Sequence, residues 1–184
     1  MPRCIVLVTG MPGSGKSELV FVARDMDVSI LSMGDVVREH AVANGIAIDK
    51  IGEFADSERK KFGYQIWAER TLPRVKGERV LIDGTRGFGE VDRFRTEYGD
   101  ILKIMAVHSS PATRFARIKD RMRMDDSSLW ERFRERDLRE LGWGISHVIA
   151  LADVMLVNEG PVEVFRSEAK NALLQCFSPE RSPP

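Results

Sequence analysis

The sequence predicts an α/β domain on a doubly wound, mainly parallel five-stranded sheet flanked by helices. Three observations carry that expectation. Short β-branched runs alternate along the chain with segments of helical periodicity. The first run, Cys4-Ile5-Val6-Leu7-Val8, passes through Thr9 into Gly10-Met11-Pro12-Gly13-Ser14-Gly15-Lys16-Ser17 and then a helix. The later glycine-rich and charged motifs fall just after expected strands, where the ligands of such sheets bind.

Gly10 to Ser17 spells G-x-x-x-x-G-K-[ST], the phosphate-binding loop, in the strand-loop-helix setting that the motif requires. Gly10, Gly13 and Gly15 let the backbone wrap an anion so that successive N–H groups, with those of Ser14 and its neighbours, point at phosphates. The positive end of the helix that Glu18 opens adds to that field. Lys16 supplies a point charge for β and γ oxygens, and the Ser17 hydroxyl a magnesium ligand. The residues from Gly10 through Pro12 to Glu18 are therefore expected to hold Mg-ATP.

Val28–Ser32 reads as strand two, and Asp35 as the N-cap of a helix over Val36–Ala43 that stops at Asn44-Gly45. Ile51, Phe54, Ala55, Phe62, Ile66 and Trp67 recur at helical spacing and predict two helices, or one kinked helix, ending before Pro73. Arg79–Asp83 is strand three, followed by Gly84-Thr85-Arg86-Gly87 and a helix near Glu90–Glu97. Ile101–Val107 is strand four. Pro111 suits the first turn of a helix to Met122. An arginine-dense stretch runs to Arg139 and is interrupted by Gly142-Trp143-Gly144. A helix over Ile145–Leu151, strand five at Val154–Val157 and a helix over Val162–Gln175 complete the chain.

Composition narrows the function. A hydrophobic fraction of 43% with 30% charged residues is that of a soluble globular protein, and 184 residues suit one domain, 1–177, with a tail at 178–184. Net charge is zero, so no general basic field gathers nucleic acid, and an RNA-processing role has little support. No apolar run reaches membrane length. Cys4 and Cys176 lack metal-type spacing and read as small hydrophobes of a reducing compartment, so a cytoplasmic location is expected.

Gly34-Asp35-Val36-Val37-Arg38 resembles the G-D-x-x-R of adenylate-kinase-type nucleoside monophosphate kinases, and Asp83-Gly84-Thr85-Arg86 resembles their D-G-x-P-R. The second motif departs from the pattern: its proline is absent and Arg86 comes one residue early. V-T-G-M-P-G-S-G-K-S, S-M-G-D-V-V-R-E and D-G-x-R followed by E-V are similar to adenylate-kinase-related proteins best known from archaea, over nearly the whole chain. Arg136–Asn158 also resembles dephospho-coenzyme A kinases.

The resemblance implies roles. Arg38 and Arg86 would clamp the phosphate of an acceptor, with Gly34, Asp35 and Gly84 beside them. Asp83 would hold the magnesium shell through water. Arg117, Arg121 and Arg123 would belong to a lid at about 117–130 closing over the donor. Arg136 and Arg139 would reach the transferring phosphoryl group, and Asn158 and Gly160 would lie beside the donor base. An acceptor-side flap is expected over 34–77.

Arginine suits these roles because its planar fork meets two phosphate oxygens and keeps its proton. Of the eight arginines from Arg114 to Arg139, about half are expected on a solvated helix, paired with Asp120, Glu131, Glu135, Asp137 or similar neighbours. The expected activity is ATP-dependent phosphoryl transfer to a small nucleotide acceptor, AMP first and dephospho-coenzyme A second. The alternative is an ATP- and AMP-binding switch or regulatory NTPase with slow turnover. Oligomeric state is not readable from the sequence.

Overall fold

The run Cys4–Thr9 forms the central strand β1 of the computed structural model, which describes residues 1–121, the side chain of Arg121 excepted, and 129–178. Successive residues of a strand point to opposite faces. Ile5 and Leu7 accordingly enter one apolar layer, and Val6 and Val8 the other. The flanking strands are β2 (Ser29–Ser32), β3 (Arg79–Asp83), β4 (Leu102–His108) and β5 (Val154–Val157). Their order is β2-β3-β1-β4-β5, and every pairing is parallel. Both faces of such a sheet must be covered, so its strands read as near-continuous apolar runs.

The helices among the described residues are α1 (Lys16–Arg24), α2 (Met33–Ala43), α3 (Ile51–Phe62), α4 (Ile66–Thr71), α5 (Phe88–Tyr98), α6 (Pro111–Arg121), α7 (Trp130–Gly142), α8 (Ile145–Ala150) and α9 (Val162–Phe177). Leu19 and Val22 of α1 and Phe165, Leu173 and Phe177 of α9 pack on one face with Leu81, Met105 and Leu156. Met33, Val36, Trp67, Phe94 and Val148, from α2, α4, α5 and α8, pack on the other with Val80, Ile82 and Ile104. None of these helices is long and apolar enough to cross a membrane.

Several boundaries differ from the sequence expectation. Ser32, not Asp35, caps α2: its Oγ accepts the Asp35 N–H at 3.2 Å, so the helix starts at Met33. A serine after a β-branched run makes as good a cap as aspartate, and the local sequence does not choose between them. Between 51 and 72 the chain forms two helices, separated at Gly63, whose φ of 98° ends α3. From Trp130 the arginine-dense stretch is a regular helix, α7. The central part of the expected lid, 122–128, and the tail from Pro179 lie outside the described residues.

A buried ion pair fixes the entry to α5. Glu90 (0% exposed) accepts from Arg59 (3% exposed) at 2.8 Å, while its other oxygen accepts the N–H groups of Arg86 at 2.7 Å and Gly87 at 3.2 Å. Glu90→Ala strands the Arg59 charge and uncaps α5. Removing one partner of a buried pair costs about 3–5 kcal/mol, so the melting temperature should fall by roughly 10 °C, as read by thermal denaturation.

Candidate active site

β1 and β3 lie side by side at the centre of the sheet, and their following segments, the Gly10–Ser17 loop and Asp83–Arg86, meet at the carboxyl edge. The Thr9 hydroxyl donates to the Thr85 carbonyl at 2.9 Å and pins the two together. The loop is tightly enclosed. A Cβ on Gly10 would stand 2.3 Å from the Val107 carbonyl, and one on Gly15 would stand 2.0 Å from Asn158 Nδ2. Both residues also have left-handed backbone, with φ of 144° and 103°, so glycine is required there.

Lys16 folds back over the loop, its Nζ donating to the Gly10 carbonyl at 2.6 Å and to Met11 at 3.2 Å. Burial lowers its pKa to about 8, against the opposing pull of Asp83 and Glu140. In the free protein Lys16 is charged below that pH and neutral above it. The kcat/KM for Mg-ATP reads the free enzyme and should fall as pH rises through about 8. The kcat should hold to higher pH, because the bound triphosphate favours the ammonium. Initial rates across pH 6–10 check both arms.

Asp83 ends β3 facing Lys16. Burial pushes its carboxyl above the usual range, with Lys16 and Arg86 opposing, and its buried Oδ1 accepts no hydrogen bond within the described residues. Ser17 is exposed at the start of α1, and both residues line the same cavity. No group of three or more acidic, His or Cys side chains placed to hold a metal ion stands among the described residues. Magnesium in phosphoryl-transfer sites needs none, since it keeps several waters and takes one or two protein oxygens besides the phosphates. A hydroxyl and an orphaned carboxylate oxygen fit that requirement.

Two cavities flank this edge. The first, of about 480 Å³, is lined by Pro12, Gly13, Lys16, Ser17, Arg117 and Asn158 among others, with Gly160 at its rim. The second, of about 620 Å³, lies among α2, α3 and α7 and includes Val37, Trp67, Arg59, Arg139 and Trp143. Six residues line both: Gly34, Arg38, Gly84, Arg86, Arg136 and Glu140. The phosphate loop and the segments carrying Arg38 and Arg86 thus converge at one junction.

The remaining expected site residues fall into four groups. Gly34, Arg38, Gly84, Arg86 and Arg136 stand at the junction; Asp35 sits at the head of α2 and pairs with the Arg38 guanidinium. Arg117, Asn158 and Glu18 border the first cavity but are engaged with protein groups. Arg117 donates to Ser109 Oγ at 3.0 Å and to the Asn158 carbonyl at 3.0 Å, Asn158 Nδ2 donates to the Ser14 carbonyl at 2.9 Å, and Glu18 accepts from Arg166 at 2.7 Å. Arg139 lines only the second cavity, with its guanidinium 5.8 Å from the Trp143 ring centre, so it does not share the place of Arg136. Arg121 closes α6 with its side chain, like all of Arg123, outside the described residues.

A family model described as an AAA domain matches residues 9–134. The UPF0200 protein TV0279 of Thermoplasma volcanium is 45% identical over 176 residues, 94% of this chain and 98% of that protein. The chain belongs to the UPF0200 family. UPF0200 relatives from Hyperthermus butylicus (93% of this chain, 94% of theirs) and Methanocaldococcus jannaschii (95% and 91%) are 47% and 42% identical. Among solved structures, a gluconokinase from Sinorhizobium meliloti aligns with TM-score 0.62 at 18% identity, over 94% of this chain and 93% of that one. Shikimate kinase from Acinetobacter baumannii aligns with TM-score 0.62 at 14% identity, over 95% and 93%. At such identities the likeness is one of fold, the α/β fold of the phosphate-loop NTPases.

Four residues of this UPF0200 chain that shape the site were not singled out by sequence. Arg114 (4% exposed) makes two bonds to Asp137, at 2.8 and 2.6 Å, and donates to the Pro12 carbonyl at 3.1 Å, bracing the loop from behind. Glu140 takes the Arg86 guanidinium. Arg59 and Glu90 form the pair under the second cavity, with the Arg59 guanidinium 4.3 Å from the Trp143 ring centre. One signal was present: Arg132, Arg136, Arg139 and Glu140 of α7 and Trp143 at its C-cap fall at helical spacing, and all five line the second cavity.

Proposed function

We propose that this UPF0200 protein is an ATP-dependent phosphotransferase that moves the γ-phosphoryl group to a nucleoside monophosphate or a nucleotide-like acceptor, with AMP the leading candidate. The observation that carries the reading is the junction, where a cavity over the phosphate loop opens into a second one at Arg38, Arg86 and Arg136. A volume of about 620 Å³ suits a nucleotide-sized ligand. The motif order supports the adenylate-kinase-related grouping.

Loop amides and Lys16 hold the β and γ phosphates of the donor. Ser17 and, through water, Asp83 would hold magnesium, which supplies charge neutralisation when bound. Arg38 and Arg86 fix the acceptor phosphate, and one of its oxygens attacks the γ phosphorus. The bond from that phosphorus to the bridging oxygen breaks, and ADP leaves. An ionised phosphate needs no base, so the protein supplies alignment and charge. Arg136 meets the charge that spreads over the transferring group.

Phosphorus NMR of protein, Mg-ATP and AMP, CMP, UMP, GMP or dephospho-coenzyme A tests this reading. The expected result is one phosphorylated product with a preferred acceptor. ADP release that ignores every acceptor would favour the slow NTPase or switch instead.

A further inference from the structure

Glu140 is a carboxylate where two phosphates are expected to meet. It is 2% exposed, lines both cavities, takes the Arg86 guanidinium and lies 3.8 Å from Arg136 Nε. Its field also reaches Lys16. A fixed negative charge there repels both an anionic acceptor and the triphosphate, so it opposes the binding for which the surrounding arginines are suited. The end of α7 meets the segment after β3 without it: a Cβ on Gly87 would stand 2.8 Å from the Trp143 carbonyl.

We propose that Glu140 is an internal stand-in for the acceptor phosphate. It neutralises Arg86 and Arg136 until an acceptor displaces it, and so holds back transfer to water. This rests on the phosphotransferase reading. In the suppressed reaction a water oxygen bonds to the γ phosphorus, the bond to the bridging oxygen breaks, and ADP and inorganic phosphate leave. The water protons pass to the phosphate and solvent. The charge of that transition state needs the same arginines as productive transfer, and with Glu140 on them they are compensated. A dianionic phosphate with three oxygens out-competes a single carboxylate for an arginine fork; neutral or weakly charged ligands do not. Glu140 is therefore a positioning residue that acts through Arg86, and it selects for acceptor charge.

Glu140→Gln keeps the length and one accepting oxygen and removes the charge. Two readouts are expected to move. ADP release from Mg-ATP without acceptor should rise about tenfold. With the loop saturated by a non-hydrolysable Mg-ATP analogue, inorganic phosphate should bind about tenfold tighter by calorimetry, equivalent to about 1.4 kcal/mol. The double variant Arg86→Gln/Glu140→Gln should lose the gain in phosphate affinity. A folded Glu140→Gln protein in which either readout stays flat or falls would make Glu140 a mere tether and overturn the proposal. If that variant does not fold, Glu140→Met, which keeps most of the side-chain volume and likewise removes the charge, carries the same comparison with the same two criteria. The phosphate titration needs no turnover. A wild-type protein that phosphorylates no acceptor would therefore sink the kinase reading while leaving the titration to decide on Glu140.

Discussion

Replacing Lys16 by alanine should reduce phosphoryl transfer roughly 10²–10³-fold in kcat, the loss typical for one preorganised charge at a transition state. The fold should survive. The Lys16 ammonium makes two bonds to loop carbonyls, to Gly10 and Met11, and sits where burial disfavours its charge. The loop is braced independently by Arg114 on Pro12 and by Asn158, Ser109 and Arg117 on Ser14. Circular dichroism and thermal melting should therefore match the wild type while single-turnover transfer collapses. A variant that keeps full activity would show that the triphosphate is not seated in this loop.

Arg38→Ala should raise the acceptor KM about 10–100-fold and leave the Kd for Mg-ATP nearly unchanged. Arg38 stands on α2, its guanidinium against Gly34 and paired with Asp35, at the mouth of the second cavity. A charge-assisted contact to phosphate contributes about 1.5–3 kcal/mol, which is the stated range of affinity. The donor triphosphate meets many loop amides and Lys16, so one lost arginine matters less to it. Separate titrations of donor and acceptor into the variant read the asymmetry. Equal losses on both sides would place Arg38 on the donor instead.

The sheet and the loop were legible because their causes are local. β1 and β4 are apolar runs whose alternate residues feed two layers, and the loop glycines hold backbone angles and clearances that no other residue permits. The parts of the site that sequence missed are tertiary pairs. Arg114 meets Asp137 across 23 positions, Arg59 meets Glu90 across 31, and Arg86 meets Glu140 across 54. In Glu58-Arg59-Lys60-Lys61 the buried arginine is one of four consecutive charged residues, and nothing local separates it from a solvated helix face. Arg114 shows the same limit from the other side. Pairing of such arginines with acids was expected along an exposed helix, yet this pair is buried between α6 and α7.

Mutual bracing of this kind has a mechanistic meaning. The loop's carbonyls are held by Ser109 after β4, by Arg114 of α6 and by Asn158 after β5, which on the proposed reading orders the donor seat before any ligand arrives. The proposed acceptor side is different: Arg38 and Arg86 are each already paired with a carboxylate, which on that reading a phosphate would replace. Discrimination would then reside in the acceptor step.

The most direct test follows the phosphoryl group itself. Mg-ATP and the preferred acceptor are turned over in water enriched in oxygen-18, and all phosphorus-bearing products are resolved by mass. Transfer at the junction predicts a phosphorylated acceptor whose new phosphoryl carries no solvent oxygen, with little labelled inorganic phosphate. If the whole of the lost γ-phosphoryl emerges as inorganic phosphate bearing one solvent oxygen, whichever acceptor is present, the protein is a nucleotide hydrolase and the phosphotransferase account is wrong.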